Sequence, residues 1–134
     1  MPYVTIVFDP KKIPQKIVDK FKPWLQKEVA FAFGMDEMRV DPSSTEVDIA
    51  TSKDEIFVTQ QKVHPTDVNA SPFEVYIQAG KPKGRDGDKL VQFLGVGIAD
   101  TGWIPKQYLG DGQSCIFLVF HEHNGFAFLP RLDN

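Results

Sequence analysis

The chain has little cysteine, no long hydrophobic run and no large excess of charge. Cys115 is its one cysteine among 134 residues, which excludes an internal disulfide framework and a multi-cysteine zinc site. The 15 basic and 18 acidic residues are intermixed, so they do not support a nucleic-acid interface. No apolar run approaches the roughly 18 residues of a membrane-spanning helix. We therefore expect neither nucleic acid nor membrane as a partner.

The length and composition suit one globular unit. A chain of 134 residues with 42% hydrophobic content can build one packed core but is too short for two. The amino terminus lacks a basic segment followed by a continuous apolar stretch, the pattern typical of a secretion signal. We expect a single domain over 1–134 and a cytoplasmic location.

The first third of the chain predicts a strand and a helix. Residues 3–8 form an apolar run that reads as a strand. Apolar residues then recur at helical spacing from Ile13 up to Gly34, where the helix is expected to stop. Pro14 suits the first helical turn, while Pro23 lies inside the helix and predicts a kink.

The rest of the chain repeats this order. Strands are predicted over 56–63 and 73–79, and a second helix over 89–101. Asp86 or Asp88 is available as its amino-terminal cap. With the apolar run 115–120 as a fourth strand, the order strand, helix, strand occurs twice.

Two apolar features belong to the second half. Gly95 and Gly97 lie in the second helix, where the absence of side chains predicts a close approach to the sheet. The unbroken apolar run 115–120 is typical of a strand at the buried centre of a sheet. We expect the Cys115 thiol to be buried there and unreactive.

The predicted fold class is α/β, and more specifically α+β with a mixed sheet. Two βαβ units form a four-stranded mixed sheet covered by two helices on one face. Segments 45–51 and 126–129 are weaker strand candidates. The other face of such a sheet stays apolar and uncovered, which predicts oligomerisation.

Pro2 is the most informative residue for function. It follows the initiator Met1 and directly precedes the first strand. Removal of the methionine leaves a secondary amine at the start of a buried strand. Since burial disfavours the charged form of an amine, this group can be neutral near physiological pH and act as a general base. A retained Met1 makes the same nitrogen a tertiary amide with no basicity.

A basic loop precedes the second helix. Lys81, Lys83 and Arg85 lie just before the helix amino terminus, where free backbone amides favour a carboxylate or phosphate. Asp86 and Asp88 oppose such an anion, and favour an ordinary solvated capping loop. Arg85 is kept as a candidate carboxylate ligand.

The histidines offer a further pattern. His121 and His123 project to one face of an extended chain, and His64 can supply a third metal ligand. A surface turn explains the pair more simply, and the glycines match no nucleotide-binding fingerprint. We expect no metal and no cofactor.

The chain resembles the tautomerase superfamily, which includes 4-oxalocrotonate tautomerase, macrophage migration inhibitory factor and malonate semialdehyde decarboxylase. The resemblance rests on Met1-Pro2 before an apolar strand, on the amphipathic helix that follows, and on the strand 73–79 that opens a second βαβ unit. The helical segment 18–25, with Pro23 inside it, is similar to a poorly characterised bacterial branch of that superfamily.

The resemblance implies a homotrimer whose sheet faces meet inside, with a pocket at each subunit boundary floored by Pro2. It also implies a small carboxylated keto or enol substrate. Arg39 resembles an arginine of 4-oxalocrotonate tautomerase on the strand after the first helix. Phe117 falls near an aromatic pocket position of macrophage migration inhibitory factor, although its apolar surroundings favour a place in the core.

The sequence thus predicts an isomerase that moves a proton by means of Pro2, with decarboxylase or hydratase chemistry left open. A non-catalytic oligomeric binding or scaffold protein is the alternative, because clear counterparts of the family's binding residues are absent. A ferredoxin-like sandwich, in which Pro2 has no role, is the third possibility.

Overall fold

The described part of the chain contains four strands and two helices in the order that the sequence predicts. The computed structural model describes residues 2–34, 53–68, 70–80, 86–110 and 112–121. Short 3-10 turns at Lys53–Glu55 and Lys106–Tyr108 precede the second and fourth strands. The main elements are β1 (Tyr3–Phe8), α1 (Gln15–Gly34), β2 (Phe57–Lys62), β3 (Phe73–Gly80), α2 (Gly87–Asp100) and β4 (Cys115–His121). The weaker strand candidates at 45–51 and 126–129 lie outside the described residues.

The strands form one mixed sheet in the order β2-β1-β3-β4. β1 is parallel to β2 and β3 is parallel to β4, whereas β1 and β3 are antiparallel. The predicted fold class is therefore confirmed. A ferredoxin-like split βαβ unit places another strand between its two parallel strands. Here the parallel partners are neighbours, so that alternative is wrong.

Both helices cover the same face of the sheet. The rings of Phe21 on α1 and Phe73 on β3 have centroids 5.1 Å apart. On α2, a Cβ at Gly95 would lie 3.8 Å from Ile116 of β4, on the same face. Burying one such aromatic side chain stabilises the fold by about 1.5–3 kcal/mol. The strand residues with the lowest exposure on this face are Val4, Ile6, Phe8, Phe73, Val75 and Ile77.

β4 is an edge strand, and the prediction that it lies at the centre of the sheet is wrong. β1 and β3 occupy the centre. β4 is continuously apolar in sequence because both of its sides are apolar. Ile116, Leu118 and Phe120 face the helices, whereas Phe117 and Val119 point to the other side. The run therefore reflects two apolar faces and not a central position.

The helix boundaries follow from local chemistry. Of the two candidate caps, Asp86 is the one that caps α2: its carboxylate accepts hydrogen bonds from the backbone N–H of Asp88 and Lys89 at 3.0 and 3.2 Å. α1 begins directly after Pro14 and continues through Pro23, which is exposed to solvent. Within the described ranges, neither helix has the length and apolar character needed to cross a membrane.

The two glycines in the middle of α2 face different neighbours. A Cβ at Gly97 would lie 3.2 Å from the Trp24 ring of α1, a tight contact. The close approach predicted for this glycine is therefore made to the other helix and not to the sheet. Gly95 faces the sheet with ordinary spacing.

This difference predicts that two matched substitutions change the free energy of unfolding by different amounts. Gly95→Ala should raise the free energy of unfolding by about 0.5–1 kcal/mol, the helix-propensity gain over glycine. Gly97→Ala should gain less or lose stability, because Trp24 must move. Urea denaturation of both variants checks this, and equal gains at the two positions would contradict the helix contact.

Candidate functional site

Pro2 is buried at the start of the central strand β1. Its carbonyl accepts a hydrogen bond from the backbone N–H of Phe57 at 3.2 Å, which fixes it beside β2. Burial alternates from Pro2 through Val4 and Ile6 to Phe8. The proline ring therefore shares the side of the sheet that faces the helices.

The described neighbours of Pro2 across the sheet are apolar. Continuing the β1–β3 register by one residue places Pro2 opposite Ala79, which pairs with Phe120 of β4. The Phe120 ring contacts Phe33 near the end of α1, with centroids 6.3 Å apart. It also lies 3.3 Å from a Cβ built on Gly87, at the start of α2. A free amine at Pro2 therefore lies at a helix-covered end of the sheet, where burial disfavours its charged form.

The cationic candidates Arg39 and Arg85 lie outside the described residues. β2 is formed by Phe57–Lys62, so Arg39 is not on the strand that pairs with β1. Asp86, the neighbour of Arg85, caps α2 at the same end of the sheet as Pro2. Because Asp86 occupies two of the free amides of that helix, these amides do not serve an anion.

The side of the sheet opposite the helices has no covering element among the described residues. Phe117 lies on it with 44% of its surface exposed, so the expectation of a core position for Phe117 is wrong. Tyr3, Phe57 and Val119 are exposed to a similar extent. We call this surface the open face. Its residues, from the strand register, are Tyr3, Thr5, Val7, Phe57, Thr59, Gln61, Glu74, Tyr76, Gln78, Cys115, Phe117 and Val119.

Among the twelve open-face residues named above, Glu74 is the one with a charged side chain. The Tyr76 hydroxyl donates a 2.6 Å hydrogen bond to its carboxylate, and this bond is the largest cause that raises the pKa of Tyr76 to about 12. The Tyr76 ring stacks on Phe117 with centroids 4.9 Å apart. The two aromatic rings and the bonded carboxylate form one connected group.

Cys115 is partly buried beside this group, on the open face and not in the core. Desolvation, followed by the charge of Glu74, raises the pKa of its thiol. The thiolate is therefore disfavoured, in agreement with an unreactive cysteine.

The Glu74 bond predicts a late tyrosine titration. Tyr76 should ionise near pH 12. Glu74→Gln removes the carboxylate acceptor and its charge, so this ionisation should move toward pH 10. Absorbance at 295 nm measures the titration, and an unchanged step near pH 12 in the variant would exclude Glu74 as its cause.

Stability should follow the same titration. Below pH 10 the hydroxyl is protonated in both folded and unfolded chains, so the contribution of Tyr76 is complete. Between about pH 10 and 12 the unfolded chain ionises first, and the free energy of unfolding falls. Tyr76→Phe should remove this part of the loss, as measured by urea denaturation at each pH.

A cavity of about 270 Å³ lies at the other end of β1 from Pro2. It is lined by loop residues that include Lys11, Lys12 and His64. His64 is the third of the histidines that could bind a metal, but the described residues contain no cluster of three groups suited to a metal ion. His121 ends β4, and His123 lies outside the described residues. The cavity was missed because its walls come from two loops that are far apart in the sequence.

Comparisons with known proteins support the fold alone. No family model matches the chain, and no curated protein is similar to it. A solved structure of a protein of unknown function from Vibrio cholerae O1 biovar eltor str. N16961 is similar, with a TM-score of 0.54 and 12% sequence identity. The match covers 95% of this chain and 83% of that one. At 12% identity, the similarity supports the same architecture but says nothing about activity.

Proposed function

We propose that the protein is a tautomerase-like isomerase that moves a proton on a small keto or enol carboxylate by means of Pro2. The observation that carries the proposal is the burial of Pro2 at the start of β1, on the helix-facing side of the sheet. Removal of Met1 leaves a secondary amine there, and burial favours its neutral, basic form.

The proposed chemistry is a proton transfer. The neutral Pro2 amine removes a proton from the carbon next to the substrate carbonyl, and negative charge develops on the carbonyl oxygen. The resulting ammonium returns the proton to that oxygen or to another carbon. Arg39 and Arg85 are the candidates for holding the carboxylate and stabilising the developing charge.

We also propose that copies of the chain assemble through the open face, as a trimer in line with the family resemblance. The twelve described positions of the face include one charged residue, Glu74, and its carboxylate accepts a hydrogen bond from the Tyr76 hydroxyl. Tyr3, Phe57, Phe117 and Val119 each expose 43–48% of their surface. An aromatic surface with so little charge suits contact with further copies of itself.

Replacement of Pro2 tests the chemistry. The chain lacking Met1, as shown by intact mass, should enolise phenylpyruvate, and Pro2→Ala should slow this reaction, because it replaces the ring amine with the primary amine of alanine. Pro14→Ala, at an exposed proline, is the matched control and should keep the wild-type rate.

A second variant separates the amine from the ring. A residue inserted between Met1 and Pro2 that causes retention of the methionine keeps the proline ring but turns its nitrogen into an amide. This variant should be at least as slow as Pro2→Ala, with a loss of about 100-fold or more, the usual contribution of a general base. Unchanged activity in the insertion variant would exclude catalysis by the Pro2 amine.

Assembly is tested by placing a charge on the open face. Val119→Lys should convert the oligomer to monomers in sedimentation velocity, because a lysine in the contact must lose its hydration. Val96→Lys is the matched control: Val96 is 62% exposed, but it lies on α2. A monomeric wild type, or equal effects of both variants, would refute assembly through this face.

The second candidate is a non-catalytic oligomeric binding or scaffold protein. It is favoured by the position of the described cavity, which lies at the far end of β1 from Pro2. An oligomer that dissociates with Val119→Lys but shows no Pro2-dependent enolisation would support this candidate over the isomerase.

A further inference from the structure

The cavity at the far end of the sheet occupies a position that often binds ligands. It lies beyond the carboxyl ends of the parallel strands β1 and β2, beside the segment that leads into β3. Crevices outside the carboxyl ends of parallel strands are common ligand sites. Its volume of about 270 Å³ suits a small molecule. The lining residues are Asp9, Pro10, Lys11, Lys12, Val63, His64, Pro65, Asp67 and Ala70.

The two lysines bring unpaired positive charge to the cavity. Among the described residues, neither the Lys11 nor the Lys12 ammonium group forms an ion pair. The two carboxylates in the lining already have backbone donors. Asp9 accepts from the N–H of Lys11 at 3.0 Å, and Asp67 accepts from the N–H of His64 at 2.9 Å. Each carboxylate keeps its charge and a second oxygen, but its bonded oxygen is held by the loop backbone. The two ammonium groups are the cationic groups of the cavity that can meet an anion.

His64 adds a donor with a defined tautomer. The backbone N–H of Thr66 lies 3.2 Å from Nδ1 of His64, and the Thr66 hydroxyl oxygen lies 2.7 Å from the same atom. A backbone N–H can only donate, so Nδ1 must accept and carries no hydrogen. The ring hydrogen is then on Nε2, which becomes a donor.

In both halves of the fold, two lysines follow the first strand closely in the sequence. β1 and β3 correspond in the two βαβ units, and they run in opposite directions. The sequence after β1 contains Lys11 and Lys12, and the sequence after β3 contains Lys81 and Lys83. The cavity is therefore the counterpart, in the first unit, of the sheet end that holds Pro2.

We propose that this cavity binds a small oxyanion, a carboxylate or a phosphate, through Lys11, Lys12 and the Nε2 hydrogen of His64. Oxyanions accept hydrogen bonds from ammonium and imidazole donors, and their negative charge offsets the positive charges of the two lysines. The site is separate from Pro2, so it binds whether or not the proposed isomerase activity exists.

The test is a ¹H–¹⁵N NMR titration of the full chain with malonate and, separately, inorganic phosphate. Saturable shifts should appear at the amides of Lys11, Lys12 and Thr66. Chloride at equal ionic strength should not reproduce them. The stronger of the two titrations identifies the anion class, and shifts no larger than those with chloride would overturn the proposal.

Charge-matched variants distinguish anion binding in the cavity from general electrostatic attraction to the protein. Lys11→Ala/Lys12→Ala should weaken binding at least ten-fold, and His64→Ala should weaken it about three-fold or more. Lys16→Ala/Lys27→Ala removes the same charge from exposed positions of α1 outside the cavity, and should leave the affinity within two-fold. An equal loss in both double variants would refute the site. Thermal melts confirm that every variant is folded.

Discussion

The antiparallel pairing of β1 with β3 is the contact on which the rest of the structure depends. Each βαβ half holds a parallel pair and a helix, and this central pairing joins the halves. It aligns Val4 with Ile77 and Ile6 with Val75, so that the buried sides of both halves form one surface under the two helices. A shift of one residue would turn one of these sets toward the open face.

The same pairing gives the sheet two different faces and two different ends. The helix-covered face is closed by aromatic contacts, among them Phe21 against Phe73 and Phe33 against Phe120. The open face is aromatic but exposed. Because the halves run in opposite directions, Pro2 marks one end of the sheet and the lysine-lined cavity marks the other. The same sheet thus presents a candidate assembly surface and two separate candidate sites.

Local signals predicted most of the fold. Period-two alternation located β3, and the carboxylate of Asp86 placed the start of α2 within two residues. The position of β4 was not predictable in this way, because an unbroken apolar run arises equally from a central strand and from an edge strand with two apolar faces. Phe117 was misplaced for the same reason. The cavity was missed because the spacing between Lys11 and His64 contains no local pattern that would bring them together.

The central pairing also has a consequence for how the chain reaches its native state. Tyr3 pairs with Gln78, so the first strand cannot complete its contacts until the second half of the domain is available. During synthesis, β1 and α1 leave the ribosome well before their main partner. Such non-local contacts slow folding. The first half therefore has an interval with exposed apolar surface, in which the domain depends most on protection from aggregation.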